Sequence, residues 1–258
     1  MNEHLQLRIY GDQRHPTLVY LPGLHGDWTL IGSFRRAVAG RVRFVEITYP
    51  RTLTWSLEDY AAEIETALVA QGVLGGWLLA ESFGSQIAWP LAARGEFTTQ
   101  GIILAGGFGA HPFKWGVRLA ERMAGHISPA LLTPLNRMYA WVSQVRYRCA
   151  PEVLSTMDEF ISRRTDLDRQ AAQHRLELIF GNNPCELARG TRAPVYAMTG
   201  LFDPIVPWWP VGKWLRRHCP SLREQKLVWH ADHTVLVTGA NAAAEQVLRW
   251  VQTPGCSV

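Results

Sequence analysis

Short apolar runs alternate with amphipathic stretches along the first hundred residues. Leu5, Leu7 and Ile9 alternate with polar neighbours up to Gly11-Asp12, which predicts an edge strand or hairpin arm. Thr17 to Leu21 is a continuous apolar run stopped by Pro22-Gly23, as in a strand covered on both faces. A helical pattern over Thr29 to Ala39 precedes a further strand over Val42 to Tyr49, closed by Pro50. Ser56 then opens a helix with Glu58 and Asp59 in its first turn, where acidic groups suit the positive end. Tyr60, Ile64, Ala67 and Leu68 form its apolar stripe, and Gly72 ends it. Trp77 to Ala80 is the next strand, a helix carrying Pro90 follows, and Gly101 to Ala105 is another buried strand. Strand, helix, strand, helix, strand in this order predicts an α/β chain with a mostly parallel sheet and right-handed crossovers.

The alternation then stops for some eighty residues. Val117 to Met123, Leu131 to Val145, Pro151 to Arg163 and Leu167 to Phe180 carry helical periodicity, with no convincing strand among them. We expect residues 110–190 to be a helical cap, or lid, inserted into a core made of residues 1–109 and 191–258. Alternation resumes with the strand Pro194 to Gly200, a helix through Trp214 to Arg217, the strand Glu224 to Trp229 and the closing helix Asn241 to Val251. No internal repeat or low-complexity linker interrupts it.

Composition narrows the function classes. The hydrophobic fraction of 47% is that of an ordinary globular chain. Eleven tryptophans are many for this length. Trp115, Trp141, Trp208, Trp209 and Trp214 fall outside the core strands, where an aromatic-lined pocket or cap would use them and plain packing would serve as well. The net charge of +4 comes with scattered basic residues, the densest pairs being Arg35-Arg36, Arg163-Arg164 and Arg216-Arg217. Each pair sits on a helix-like stretch as a solvated face, so no nucleic-acid partner is expected. Cys149, Cys185, Cys219 and Cys256 show no metal-ligand or C-x-x-C spacing, so reduced thiols and no metal are expected. No basic, apolar leader and no apolar stretch of about 20 residues is present, so the expected location is the cytoplasm, with no integral membrane segment.

The candidate chemistry centres on Ala80-Glu81-Ser82-Phe83-Gly84, where an apolar strand passes through a small-residue turn into a helix. So tight a turn strains its middle residue and needs small neighbours two positions either side, here Ala80 and Gly84. It leaves the Ser82 hydroxyl exposed at the sheet edge as a nucleophile. The Phe83 amide, at the helix N-terminus, is placed to meet a developing oxyanion. After the second strand, Pro22-Gly23-Leu24-His25-Gly26 brings bare backbone close to a ligand, and we assign the second oxyanion amide to Leu24. Asp203 follows a later strand and His233 the last, giving the order Ser, Asp, His at strand carboxyl ends, where an open parallel sheet places its site. His230 and Asp232 are near enough to be confused with the base; His233 is preferred because it begins the loop before the last helix. Glu81 is expected to turn away from the nucleophile. His25, Phe108, His111 and Trp115 are candidate pocket residues.

These motifs, with the Gly200-x-x-Asp203 segment, its Pro204 and Pro207, and the terminal His233, resemble the α/β-hydrolase superfamily over essentially the whole length. The Leu-Pro-Gly-x-x-Gly and Glu-Ser-Phe-Gly spellings look like small bacterial ester hydrolases with a helical cap. The resemblance departs at two positions: Ala80 takes the place of the usual first elbow glycine, and Pro22 stands where many relatives carry histidine. It implies a serine hydrolase for a small-molecule carboxylic ester or thioester, working through an acyl-enzyme without cofactor. An acyltransferase on the same triad, a lyase using it as base, and a small-molecule binder are the alternatives from other classes. A histidine base implies activity that rises with pH near the ordinary imidazole value of about 6.5.

Overall fold

A computed structural model describes residues 4–126 and 165–252. Its strands are β1 (Gln6–Tyr10), β2 (Thr17–Leu21), β3 (Arg43–Thr48), β4 (Gly75–Glu81), β5 (Thr98–Ala105), β6 (Val195–Gly200) and β7 (Leu222–Val228). Its helices are α1 (Gly32–Val38), α2 (Leu57–Ala70), α3 (Gly84–Ala93), α4 (Lys114–His126), α5 (Asp166–Gly181), α6 (Cys185–Gly190), α7 (Trp208–His218), α8 (Val235–Thr238) and α9 (Ala240–Gln252). One sheet runs in the order β1-β3-β2-β4-β5-β6-β7. Among the described residues only the β1–β3 pair is antiparallel, with Gln6 opposite Thr48 and Tyr10 opposite Phe44.

The continuous apolar runs are explained by burial on both faces. Side chains alternate across a strand, so Val19, Leu21, Leu78, Ala80, Ile102 and Leu104 share one face, packed with residues of α2, α3, α6 and α7. Leu18, Tyr20, Leu79, Ile103, Ala105 and Met198 share the other, under α1, α8 and α9. The polar alternation of β1 belongs to an edge strand, as its register shows.

Local chemistry sets the helix starts. Ser56 Oγ accepts from the Asp59 amide at 3.1 Å while the Asp59 carboxylate accepts from the Ser56 amide at 2.8 Å. Such a reciprocal cap is worth on the order of 1 kcal/mol. Farther along α2, the buried Glu65 accepts from the amides of Glu96 at 2.9 Å and Phe97 at 3.0 Å and from the Arg94 guanidinium, tying the α3–β5 turn to the helix. Burial alone would raise the Glu65 carboxyl, but the Phe97, Arg94 and Glu96 contacts outweigh it and hold the group below its ordinary value.

Within 110–190 the described residues form helices α4, α5 and α6. The segments Leu131 to Val145 and Pro151 to Arg163, together with Trp141, Cys149, the Arg163-Arg164 pair and Cys256, lie outside the described residues. Helix α6, which periodicity did not single out, packs with α3 and α7 and contributes the fully buried Ala188. Helix α7 begins at Trp208, well before the expected Trp214 to Arg217. Pro210 masks that start, yet it lies in the first turn, where a missing N–H costs no helix bond.

Candidate active site

Three loops at one edge of the sheet converge on Ser82. It is the sole non-glycine residue with positive φ among the described residues, at 47°. That left-handed conformation costs on the order of 1–3 kcal/mol and is held by its neighbours. The Ser82 amide donates to the Ala105 carbonyl at 3.1 Å, joining the ends of β4 and β5. A Cβ on Gly84 would lie 2.2 Å from the Leu21 carbonyl oxygen, so only glycine lets α3 start this close to β2. Ala80, in contrast, is accommodated: its methyl is fully buried in the core.

His233 Nε2 lies 2.8 Å from Ser82 Oγ, and His233 Nδ1 lies 2.9 Å from Asp203 Oδ2. The strand order explains the meeting, since β5 separates β4 from β6 and β7 follows. Gly106, at the end of β5 with φ 57°, makes the room: a Cβ there would sit 2.6 Å from the His233 carbonyl oxygen. Asp203 is clamped by its own turn, Oδ1 accepting from the amides of Ile205 at 2.9 Å and Val206 at 2.8 Å. An ionised carboxylate only accepts, so Nδ1 of the neutral imidazole carries the proton and Nε2 is free to accept from the Ser82 hydroxyl. Burial depresses the His233 imidazole, but the Asp203 hydrogen bond and charge, with help from Glu81 and Asp232, carry it above its ordinary 6.5. The expectation of an ordinary titration is therefore corrected upward. His230 is exposed, whereas Asp232 Oδ1 accepts from the Thr234 amide at 3.0 Å and so folds the loop that carries His233.

The Pro22–Gly26 turn lies beside the serine. A Cβ on Gly23 would be 3.5 Å from Ser82 Cβ, and the Gly26 amide donates to the Gly23 carbonyl at 3.0 Å. Among the described residues, neither the Leu24 nor the Phe83 amide donates to a protein acceptor. Two unpaired N–H groups close to a serine hydroxyl are free to receive an oxygen that carries negative charge.

The other candidates separate. Phe108 and His111 meet edge to face at 4.8 Å, both buried. The Phe108 carbonyl is fixed by α3, accepting from Ser85 Oγ at 3.0 Å and Gln86 Nε2 at 2.9 Å. Burial, and secondarily the charge of His233, lowers the His111 imidazole to about 4, so it is neutral at pH 7. His25 is exposed, and Trp115 stands 74% exposed on α4. Glu81 does turn from the serine: its buried carboxyl takes the Tyr20 hydroxyl and is raised by burial.

No protein-family model and no curated protein sequence matches the chain. Solved structures do. The chain is similar to the enol-lactonase from Burkholderia xenovorans LB400, with TM-score 0.77, 16% identity and 96% of each chain covered. It is similar also to an esterase from Exiguobacterium antarcticum, with TM-score 0.78, 13% identity and 96% of each chain covered. A thermophilic esterase from Thermogutta terrifontis gives TM-score 0.72 and 18% identity over 96% of this chain and 94% of that one.

The chain has the α/β-hydrolase fold. Within this fold the serine elbow, the clamped aspartate and the terminal histidine occupy the carboxyl edge of the sheet, as their sequence order implied. Reading the α/β-hydrolase pattern alone overlooked Arg175, a buried cation on α5 directed at the Pro22–Gly26 turn. A signal was available: Ala171, Arg175 and Ile179 recur every four residues and are the buried positions of that helix. Among the described residues no helix is long and apolar enough to cross a membrane.

Proposed function

We propose that the protein is a cytoplasmic serine hydrolase that cleaves a small-molecule carboxylic ester or thioester through a Ser82–His233–Asp203 triad. The observation that carries this reading is the unbroken hydrogen-bonded chain from Asp203 Oδ2 through the imidazole to Ser82 Oγ, at 2.9 and 2.8 Å, on a strained elbow. Neutral His233 takes the hydroxyl proton as Ser82 Oγ attacks the carbonyl carbon, and Asp203 stabilises the resulting imidazolium. The Leu24 and Phe83 amides hold the tetrahedral oxyanion, each worth on the order of 3 kcal/mol. Collapse expels the alcohol or thiol, which takes the proton from Nε2, and water releases the acid from the acyl-enzyme by the same steps. Phe108, neutral His111 and the exposed Phe202 and Ile205 beside Asp203 favour an apolar acyl group. Residues 110–190 act as the lid, with α4 packed on α5 and α5 held to the β3–α2 loop by Arg51–Asp168 and by His174 Nε2 at 2.9 Å from the Trp55 carbonyl. Free thiols at Cys185 and Cys219 suit a reducing compartment.

The test is intact-protein mass after incubation with a fluorophosphonate. One adduct on the wild type and none on Ser82→Ala or His233→Ala is the expected result. Ester turnover should fall roughly a million-fold in Ser82→Ala. Retained turnover in that variant, or an unlabelled but folded wild type, overturns the reading.

A further inference from the structure

Arg175 is 2% exposed, and its guanidinium is spent on backbone and aromatic groups. Nη1 donates to the Leu24 carbonyl at 2.8 Å, Nη2 to the Pro50 carbonyl at 3.0 Å, and Nε to the Tyr60 hydroxyl at 3.3 Å. Its Cζ stands 5.4 Å from the Tyr49 ring centre and 6.0 Å from that of Phe83. Among the described residues no carboxylate pairs with it. A buried cation without a counter-ion is costly to keep, and replacing it by an apolar side chain of similar volume is often neutral or stabilising. Packing is therefore a poor reason for its presence. What it touches is a better one.

Leu24 lies between Gly23 and Gly26 in the five-residue turn Pro22–Gly26, and glycine gives backbone its widest freedom. The turn is pinned from outside: the Tyr49 amide donates to the Gly26 carbonyl at 2.8 Å, the Tyr49 hydroxyl to the Pro22 carbonyl at 3.2 Å, and Arg175 grips Leu24 itself. Gly26 is shaped to admit that grip. Its φ is 76°, and a Cβ there would lie 2.5 Å from Arg175 Nη1. The fork thus joins three elements, the oxyanion turn, the end of the β3 loop at Pro50 and helix α5, and it leaves a net positive charge beside the residue whose amide awaits an oxyanion.

We propose that Arg175 is a positioning residue for the oxyanion hole, fixing the Leu24 amide from helix α5. This rests on the serine-hydrolase reading. Arg175 touches no reacting atom; it acts through Leu24.

The experiment compares wild type, Arg175→Ala, Arg175→Lys and Arg51→Ala, measuring the fluorophosphonate labelling rate of Ser82 and kcat and KM on p-nitrophenyl butyrate. In Arg175→Ala the labelling rate and kcat should fall roughly 10- to 100-fold with KM moving less than about 3-fold, since a misplaced donor is lost to the transition state more than to the substrate. Free guanidinium at tens of millimolar should restore much of the rate by refilling the site. Arg175→Lys keeps the charge but cannot fork across Leu24 and Pro50; it should be slowed as well and gain nothing from guanidinium. Arg51→Ala removes a different α5 tether and should keep wild-type kcat. Should Arg175→Ala not fold, the lysine variant decides alone. A folded Arg175 variant with wild-type labelling rate and kcat overturns the proposal, as does a loss shared equally by Arg51→Ala. Failure of the wild type itself to label marks instead the collapse of the hydrolase reading.

Discussion

Asp203→Asn tests the proton logic of the site with the least change in shape. Asp203 has two distinct ends: Oδ1 receives two backbone amides, at 2.9 and 2.8 Å, and Oδ2 faces His233 Nδ1 at 2.9 Å. An asparagine must choose which end carries its oxygen. The two N–H donors fix the oxygen at the Oδ1 position, because an NH2 there would set donor against donor twice. The NH2 then faces Nδ1, which can meet it only as an acceptor. The imidazole proton moves to Nε2 and points at Ser82 Oγ, where it cannot take the hydroxyl proton. From comparable triads the loss in kcat is about 10,000-fold, or roughly 5 kcal/mol of barrier. Stability should change by less than about 2 kcal/mol, since both amide bonds survive. The assays are single-turnover fluorophosphonate labelling at pH 7 and urea unfolding of the same preparation. A labelling rate within about 10-fold of wild type in a protein of unchanged stability would refute the tautomer argument.

Other outcomes follow from the same geometry. Because His233 must be neutral to accept a proton and its value is raised, activity should be absent at acid pH and rise with a midpoint above 6.5; a pH–kcat/KM profile that is flat or centred below 6.5 contradicts this. Gly84→Ala should destabilise by about 3 kcal/mol, the upper end for overpacking, because its new Cβ meets the Leu21 carbonyl rather than a movable side chain; urea unfolding close to wild type counts against the packing. Glu65 is held below its ordinary 4.5 in the folded state, so its contribution is present above that pH and lost as pH falls through the lower folded value. Glu65→Gln should therefore be less stable than wild type at pH 7 and converge with it in acid, and a gap independent of pH is the outcome that excludes this account.

Much of this architecture was legible because it is written in local chemistry. Apolar runs ended by Pro-Gly, a serine between small residues, and an aspartate and histidine after later strands each constrain the backbone where they stand. Ser56 with Asp59 announced a cap that the hydrogen bonds confirm. What escaped reading depends on distant partners. Arg175 looks like a surface helical arginine until Leu24, 151 positions away, supplies its acceptor. The burial of Glu81 needs Tyr20, 61 positions earlier. Arg35 was read as a solvated face and instead donates to the buried Glu46 at 2.7 Å. The start of α7 was hidden because Pro210 breaks a helix in the interior and is harmless in the first turn.

The bond between Ser82 and His233 spans 151 residues of chain. Loops of that length close late, because their entropy is lost before any distant contact rewards it. In refolding, the parallel crossovers from β4 to β7 must be in place before the imidazole can reach the hydroxyl, so helical content should return ahead of nucleophilicity. If Ser82 is the proposed nucleophile, it is in that sense a clock for the chain, and the moment it becomes labelled marks completion of the sheet.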